Sequence, residues 1–132
     1  MAASAARVTA GAHAAYLTAS GVWPLLDRTS FERVTGRKQD FWLVRTVGGL
    51  AASIGVSLGL ATLRGSKRPE TIALALASGL AFGVADVRAS RTESRIYLAD
   101  LALQAVFAAA WLRPWSPRGD LSRPREPAAT RP

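Results

Sequence analysis

The chain of 132 residues has room for one domain. Its formal net charge of +8 would suit nucleic-acid binding, but the basic residues lie at the edges of apolar runs and no basic cluster is interleaved with aromatic residues, so we expect no nucleic-acid partner. Cysteine is absent, which excludes disulfides, thiolate ligands and thiolate nucleophiles.

Four segments of the chain are almost free of charge: residues 8–26, 41–63, 71–87 and 96–112. A helix needs about 17–20 residues to span the hydrocarbon core of a bilayer. The first segment makes a poor signal peptide, because His13 interrupts its apolar centre and no clear cleavage signal follows. The sequence therefore predicts an all-α, four-helix transmembrane bundle in residues 1–112, with both ends of the chain on the same side.

The longest connection, between the first and second segments, reads LLDRTSFERVTGRKQD and predicts a short interfacial helix. Thr29 and Glu32 have the spacing of a capping box, and Gly36 would end the helix that they begin. Asp40 stands where the N-cap of the second membrane helix would lie.

The last part of the chain, residues 113–132, is rich in Pro and Arg and has almost nothing to bury. This composition predicts a disordered tail. Its basic residues could hold anionic lipid, at about 1 kcal/mol per residue close to the surface.

Aromatic residues collect at the ends of the segments, as two interfacial belts would require. One end would carry Trp23, Phe41, Trp42 and Tyr97, and the other Trp111 and Trp115. The alternative is that these rings fill the core of a soluble protein. Lys and Arg number nine on the face that holds the termini and seven on the opposite face, with Arg45 inside a helix, which predicts cytoplasmic termini.

Three charged residues fall at similar depth near one face of the predicted bundle: Arg45, Asp86 and Asp100. We expect them to form a cluster, because an arginine between two carboxylates is tolerated in a membrane where a lone ion is costly. The cluster could be a structural staple that fixes helix order, or a site that handles protons or ions. A third alternative is that the side chains extend to the headgroups.

A polar stripe follows one face of the first helix, with residues three, four and seven apart. Its members are His13, Tyr16, Ser20 and Asp27. On the fourth membrane helix, Asp100, Gln104, Phe107 and Trp111 share a face by the same spacing. Together they predict either packing with satisfied polar groups or a narrow polar pocket. A single histidine predicts neither a metal site nor haem.

Small residues recur every four positions on the second and third membrane helices, in the GxxxG pattern that lets helix backbones approach closely. The two ridges are Ala51, Gly55 and Gly59 on the second helix, and Ala75, Gly79 and Gly83 on the third. Because a short loop joins these helices, we expect an antiparallel hairpin in which Gly55 meets Gly79. The alternative is that one ridge faces a second protomer.

The stretch from Thr18 to Leu50 resembles a family of uncharacterised small bacterial four-helix integral membrane proteins. The resemblance lies in a Gly-x-Trp-Pro motif at Gly21, Trp23 and Pro24, a Ser-Phe-Glu-x-Val-Thr-Gly segment over residues 30–36 that is followed by Lys38 and Asp40, and a Trp-Leu-Val-x-Thr-Val-Gly start to the second membrane helix over residues 42–48. It implies a bacterial inner-membrane setting and the same four-span layout, and it carries over no catalytic residue.

No phosphate-binding loop, metal-ligand spacing or nucleophile–base pair is found in the sequence, so we expect neither an enzyme nor a cofactor. The favoured function is a non-enzymatic accessory or scaffold subunit that binds a larger membrane protein or forms a homo-oligomer. The alternative is a minimal transporter, or a bundle that binds a ligand or lipid, using the Arg45–Asp86–Asp100 cluster.

Overall fold

The computed structural model describes residues 2–115. Within this range the chain forms five helices: α1 (Ala2–Leu26), α2 (Arg28–Thr35), α3 (Phe41–Leu63), α4 (Pro69–Thr92) and α5 (Ile96–Leu112). The described range contains no strand, so the all-α prediction is confirmed. Helices α3 and α5 have the predicted bounds, whereas α1 begins earlier and α4 extends further at both ends. Of the predicted tail, residues 116–132 lie outside the described residues.

The short helix α2 is present where the sequence predicts it, but its cap differs. The carboxylate of Asp27, not the predicted pair of Thr29 and Glu32, caps the helix by accepting a 3.0 Å hydrogen bond from the backbone N–H of Ser30. Gly36 ends the helix with a φ of 89°, a left-handed conformation that favours glycine. The turn therefore follows the predicted stop signal.

The closest packing in the protein joins α1 to α3. A Cβ atom at Gly48 would lie 2.6 Å from the carbonyl oxygen of Gly21, and a Cβ atom at Gly55 would lie 2.7 Å from the carbonyl oxygen of Ala14. Real Cβ contacts are essentially never so short. Small residues on both helices therefore allow the two backbones to touch.

The second close pair is α4 with α5, and it shows that the predicted pairing of the two ridges is wrong. A Cβ at Gly79 would lie 3.5 Å from Oε1 of Gln104, and one at Gly83 would lie 3.3 Å from Leu101, both on α5. Gly55 instead meets α1, and α3 makes few contacts with α4. The four-residue spacing of small residues identifies a helix face that packs closely, but it does not identify which helix packs against that face.

The remaining ridge residues are also covered within the chain. Ala51 and Ala75 are buried, and a Cβ at Gly59 would lie 3.6 Å from the Cβ of Ala14. The hydrophobic core draws one or more residues from each of the four long helices: Ala10, Ala14, Leu17, Leu58, Ala75 and Trp111.

Side chains close the end of the bundle that holds the N-terminus. The guanidinium of Arg7 donates hydrogen bonds of 3.1 Å and 2.9 Å to the carbonyl oxygen of Thr62 and one of 3.2 Å to that of Leu63. These carbonyls belong to the last turn of α3, where a cation is favoured by the helix dipole. At the same end, Lys67 donates to the backbone oxygen of Arg113.

Two of the described helices, α3 and α4, are long and apolar enough to span a membrane. Each contains an 18-residue window with a mean hydropathy of 1.6, and 28% of that window is buried inside the protein. Helix α5 is apolar but has 17 residues. The low burial distinguishes α3 and α4 from the core helices of a soluble protein, which are mostly buried.

The contact of α1 with α3 predicts opposite effects for two neighbouring glycines. Gly48→Ala should lower the free energy of unfolding by about 1–3 kcal/mol, because the added methyl group overlaps the backbone of Gly21. Gly49→Ala is the matched control, since its Cβ would meet nothing within 4 Å. The control should be neutral or stabilising by up to about 1 kcal/mol, the helix preference of alanine over glycine.

Thermal unfolding in detergent, followed by circular dichroism, measures both variants. Equal stability of the two variants would contradict the close approach of α1 and α3.

A candidate ligand cavity between the helix pairs

The structure brings together two of the three residues of the predicted charge cluster. The carboxyl groups of Asp86 on α4 and Asp100 on α5 interact directly. Arg45 is exposed on α3 and has no ion pair within the described part of the chain, so the predicted three-residue cluster is wrong. The physical reason is the face of α3 on which Arg45 lies: neighbouring α3 residues such as Val44 and Val47 line the cavity that holds the two carboxyl groups, and Arg45 does not.

Two polar side chains surround Asp100. The hydroxyl of Tyr16 on α1 donates a 2.7 Å hydrogen bond to its Oδ1 atom, and the amide of Gln104 donates a weaker one of 3.4 Å to the same atom. Asp86 and Gln104 are both buried, with 4% and 5% of their surface exposed. The polar stripe of α1 therefore meets the polar face of α5 at Tyr16 and Asp100.

Two acceptor atoms of this group have no hydrogen-bond partner among the described residues. They are Oδ2 of Asp86 and Oε1 of Gln104, and both are buried. A buried polar atom without a partner is unfavourable by about 1–3 kcal/mol, and native structures contain few of them. Such atoms commonly mark a position where another molecule binds.

Further along the same two helices, His13 is held in an aromatic setting. Its Nδ1 atom accepts a 3.1 Å hydrogen bond from the indole N–H of Trp111, and its ring stacks on Phe107 at 4.6 Å between centroids. Since Nδ1 accepts, Nε2 carries the proton of the neutral ring. His13 and Trp111 are fully buried, so this contact joins α1 to α5 as packing.

The other two members of the stripe have separate roles. Ser20 lines the cavity described below, and its hydroxyl donates to the carbonyl oxygen of Leu17 on its own helix. Asp27 caps α2 and does not join the polar group. Hydrogen bonds from the backbone and hydroxyl of Ser30 hold the pKa of Asp27 below its usual value.

The paired carboxylates face a cavity of about 570 Å³. A cavity of this size is in the range of small-molecule sites. Side chains from all five helices line it, and most of them are apolar, among them Leu43, Val47, Phe82, Ile96 and Leu103. Its α3 and α4 residues come from the halves of those helices that lie away from the loop over residues 64–68.

Lys38 closes the cavity at the end that holds α2. Its ammonium group forms an ion pair with Glu93 and donates hydrogen bonds to the carbonyl oxygen of Thr35, at 3.0 Å, and the hydroxyl of Tyr97, at 3.1 Å. Burial lowers the pKa of Lys38 below its usual value, while the carboxylate of Glu32 acts in the opposite direction. One side chain thus ties the segment before α3 to the turn between α4 and α5.

Sequence reasoning missed Lys38 and the hydroxyl of Tyr97 as parts of this site. Lys38 lies in a loop with two other charged residues, Arg37 and Asp40, and helical spacing gives no prediction there. Tyr97 was recognised only as an interfacial aromatic residue. The signal that could have linked them is the expected proximity of both residues at the same end of the bundle.

Comparison of the chain with protein-family models, with curated proteins and with solved structures found no match.

The contacts of Lys38 predict that this end of the cavity opens when its ammonium group is removed. Lys38→Met keeps the apolar stem and should speed backbone hydrogen–deuterium exchange in α2 and in residues 93–97 by about ten-fold, because a hydrogen bond to a charged group contributes about 1.5–3 kcal/mol. Arg37→Met, at an exposed neighbouring position, is the control and should leave exchange unchanged.

Exchange measured by mass spectrometry on protein in nanodiscs gives the comparison. Equal exchange in the two variants would show that Lys38 does not close the cavity.

Proposed function

We propose that the chain is an integral membrane protein that crosses the bilayer four times, through α1, α3, α4 and α5. Large apolar side chains on the outer faces of these helices support the proposal: Leu80 is 71% exposed, Trp42 68% and Leu63 68%. Soluble monomers rarely expose extensive apolar surface, whereas lipid would cover it. A bacterial inner membrane with cytoplasmic termini is the setting that the charge bias and the family resemblance favour.

The absence of cysteine makes the four-span layout directly testable. Single cysteines in place of Gln39 and Ser94 should react with a membrane-impermeant maleimide added outside intact cells, because both lie in turns at the same end of the bundle. A cysteine in place of Ser66, in the turn at the other end, should react only after the cells are opened. Labelling of all three cysteines from the same side, or recovery of the protein in the soluble fraction, would contradict the layout.

Within that membrane setting, we propose that the protein binds an apolar or amphiphilic small molecule in the 570 Å³ cavity. The observation that carries this function is the combination of apolar walls with a small buried polar group, which is typical of ligand sites. A scaffold subunit would need a packed interior instead. The accessory-subunit function, with a membrane-protein partner or a second copy, therefore ranks second.

The helix arrangement supports entry of such a ligand from the lipid phase. Helices α3 and α4 are joined through residues 64–68 yet share few contacts, and each contributes residues to the cavity wall. At the end of the bundle, by contrast, Lys38 closes the cavity. Among the neighbouring pairs of long helices around the cavity, α3 and α4 pack together least.

Filling the cavity should remove the bound molecule. Ala85 lines the cavity on α4, and Ala85→Phe places a ring in it. Ala77→Phe is the matched control, because Ala77 is exposed on the same helix and lines neither that cavity nor the groove between α4 and α5. We expect small molecules to co-purify with the native protein and with Ala77→Phe, and to be lost from Ala85→Phe.

Native mass spectrometry of each protein extracted from its own host in nanodiscs identifies these molecules. Adducts of the same mass on all three proteins, or none beyond bulk lipid on any, would contradict the binding function. A stoichiometric protein partner without a small molecule would favour the accessory subunit.

A further inference from the structure

We propose that the ligand of this cavity is a lipophilic amine, whose protonated nitrogen binds at Asp86, Asp100 and Gln104. This inference rests on the proposed binding function and adds the chemical class of the ligand. Three features of the site carry it: its unpartnered atoms, its charge and its walls.

Two of the three buried atoms without a partner in the described part of the chain belong to residues that line the cavity, and both are acceptors; the third, the protonated Nε2 of His13, belongs to a residue outside the cavity lining. Oδ2 of Asp86 and Oε1 of Gln104 are both buried and have no partner among residues 2–115. Asp100 is already oriented by the hydroxyl of Tyr16, which uses its Oδ1 atom. An alkylammonium group has up to three N–H donors and no acceptor, so it matches the hydrogen-bonding requirement of this group.

The charge of the site also calls for a cation. The carboxyl groups of Asp86, which is buried, and Asp100, which is half-buried, repel each other when both are ionised, and a shared proton or a positive charge would offset that repulsion. Among residues 2–115, no basic side chain forms an ion pair with either carboxylate: Arg45 is exposed on α3, and Lys38 is paired with Glu93. Even with one shared proton the pair keeps one negative charge, which a cationic ligand would offset.

The walls of the cavity select an organic cation over a hydrated inorganic ion. Phe82, Leu103 and Val47 give an apolar surface beside the carboxylates, suited to an alkyl chain or a ring system. The described residues contain no group of three or more His, Cys, Asp or Glu that could hold a metal ion. An amine with an apolar body satisfies both parts of the cavity in one molecule.

Three probes of equal chain length separate the contributions of the nitrogen and the chain. Dodecylamine is charged at pH 7 and has N–H donors, dodecyltrimethylammonium has the charge without the donors, and dodecanol has neither charge nor nitrogen. Binding to the full chain in nanodiscs, counted by native mass spectrometry against empty nanodiscs of the same lipid, should be more than about ten-fold tighter for dodecylamine than for either other probe.

Variants assign this preference to the site. Asp86→Asn and Gln104→Leu should each reduce the preference for dodecylamine by about ten-fold and retain dodecanol binding, which shows that the variants are folded. Asp40→Asn is the control, because Asp40 is an exposed carboxylate outside the cavity, and it should behave like the native protein. Ala85→Phe should abolish binding of all three probes.

The outcomes separate this inference from the function on which it rests. Equal affinity for dodecylamine and dodecanol, with both lost in Ala85→Phe, would overturn the amine and keep the cavity function. Equal affinity for dodecylamine and dodecyltrimethylammonium, or an unchanged preference in Asp86→Asn and Gln104→Leu, would overturn the assigned nitrogen site. Binding of no probe, or binding unaffected by Ala85→Phe, would overturn both proposals.

Discussion

The contact between the backbones of α1 and α3 is the constraint on which the rest of the structure depends. Gly48 against Gly21, and Gly55 against Ala14, leave no space for a side chain between the two helices. With its small-residue face committed to α1, α3 has no comparable face for α4. Helix α4 packs on α5 instead, so the bundle consists of two close pairs. The cavity lies where these pairs face each other, because the contacts between pairs are fewer than those within them.

Polar groups follow the same division into pairs. Two hydrogen bonds connect α1 to α5 across the pairs: a partly buried one from the hydroxyl of Tyr16 to Asp100, and a buried one from the indole of Trp111 to His13. On α3, the cavity wall is formed by apolar residues and glycine, since Arg45 points away from it. The site is thus acidic on one side and apolar on the other, a polarity that helix packing alone produces.

Local sequence patterns predict much of this fold, and the pairing of helices is where they stop. The segments that are almost free of charge predict the bounds of α3 and α5, and Gly36 predicts the end of α2. Spacing of three and four residues correctly joined Asp100 with Gln104 on one face. Small-residue spacing, however, describes one surface only, and a short loop was insufficient to decide that Gly55 meets Gly79. The similar depth of Arg45 and the two carboxylates in the predicted membrane likewise favours a cluster. Depth, however, gives only the position of a residue along the helix axis and not the direction in which its side chain projects around that axis.

The guanidinium of Arg7 on the last carbonyls of α3 has a consequence for the order of assembly. Helix α1 is not among the described helices that are apolar enough to span a membrane by themselves, and its small-residue face packs against α3. The C-terminal carbonyls that Arg7 caps exist only once residues 62 and 63 have been synthesised. In the proposed membrane setting, this contact can therefore stabilise α1 only after the end of α3 has been made. In the order of synthesis, the first span of the chain thus depends on the second for this stabilising contact.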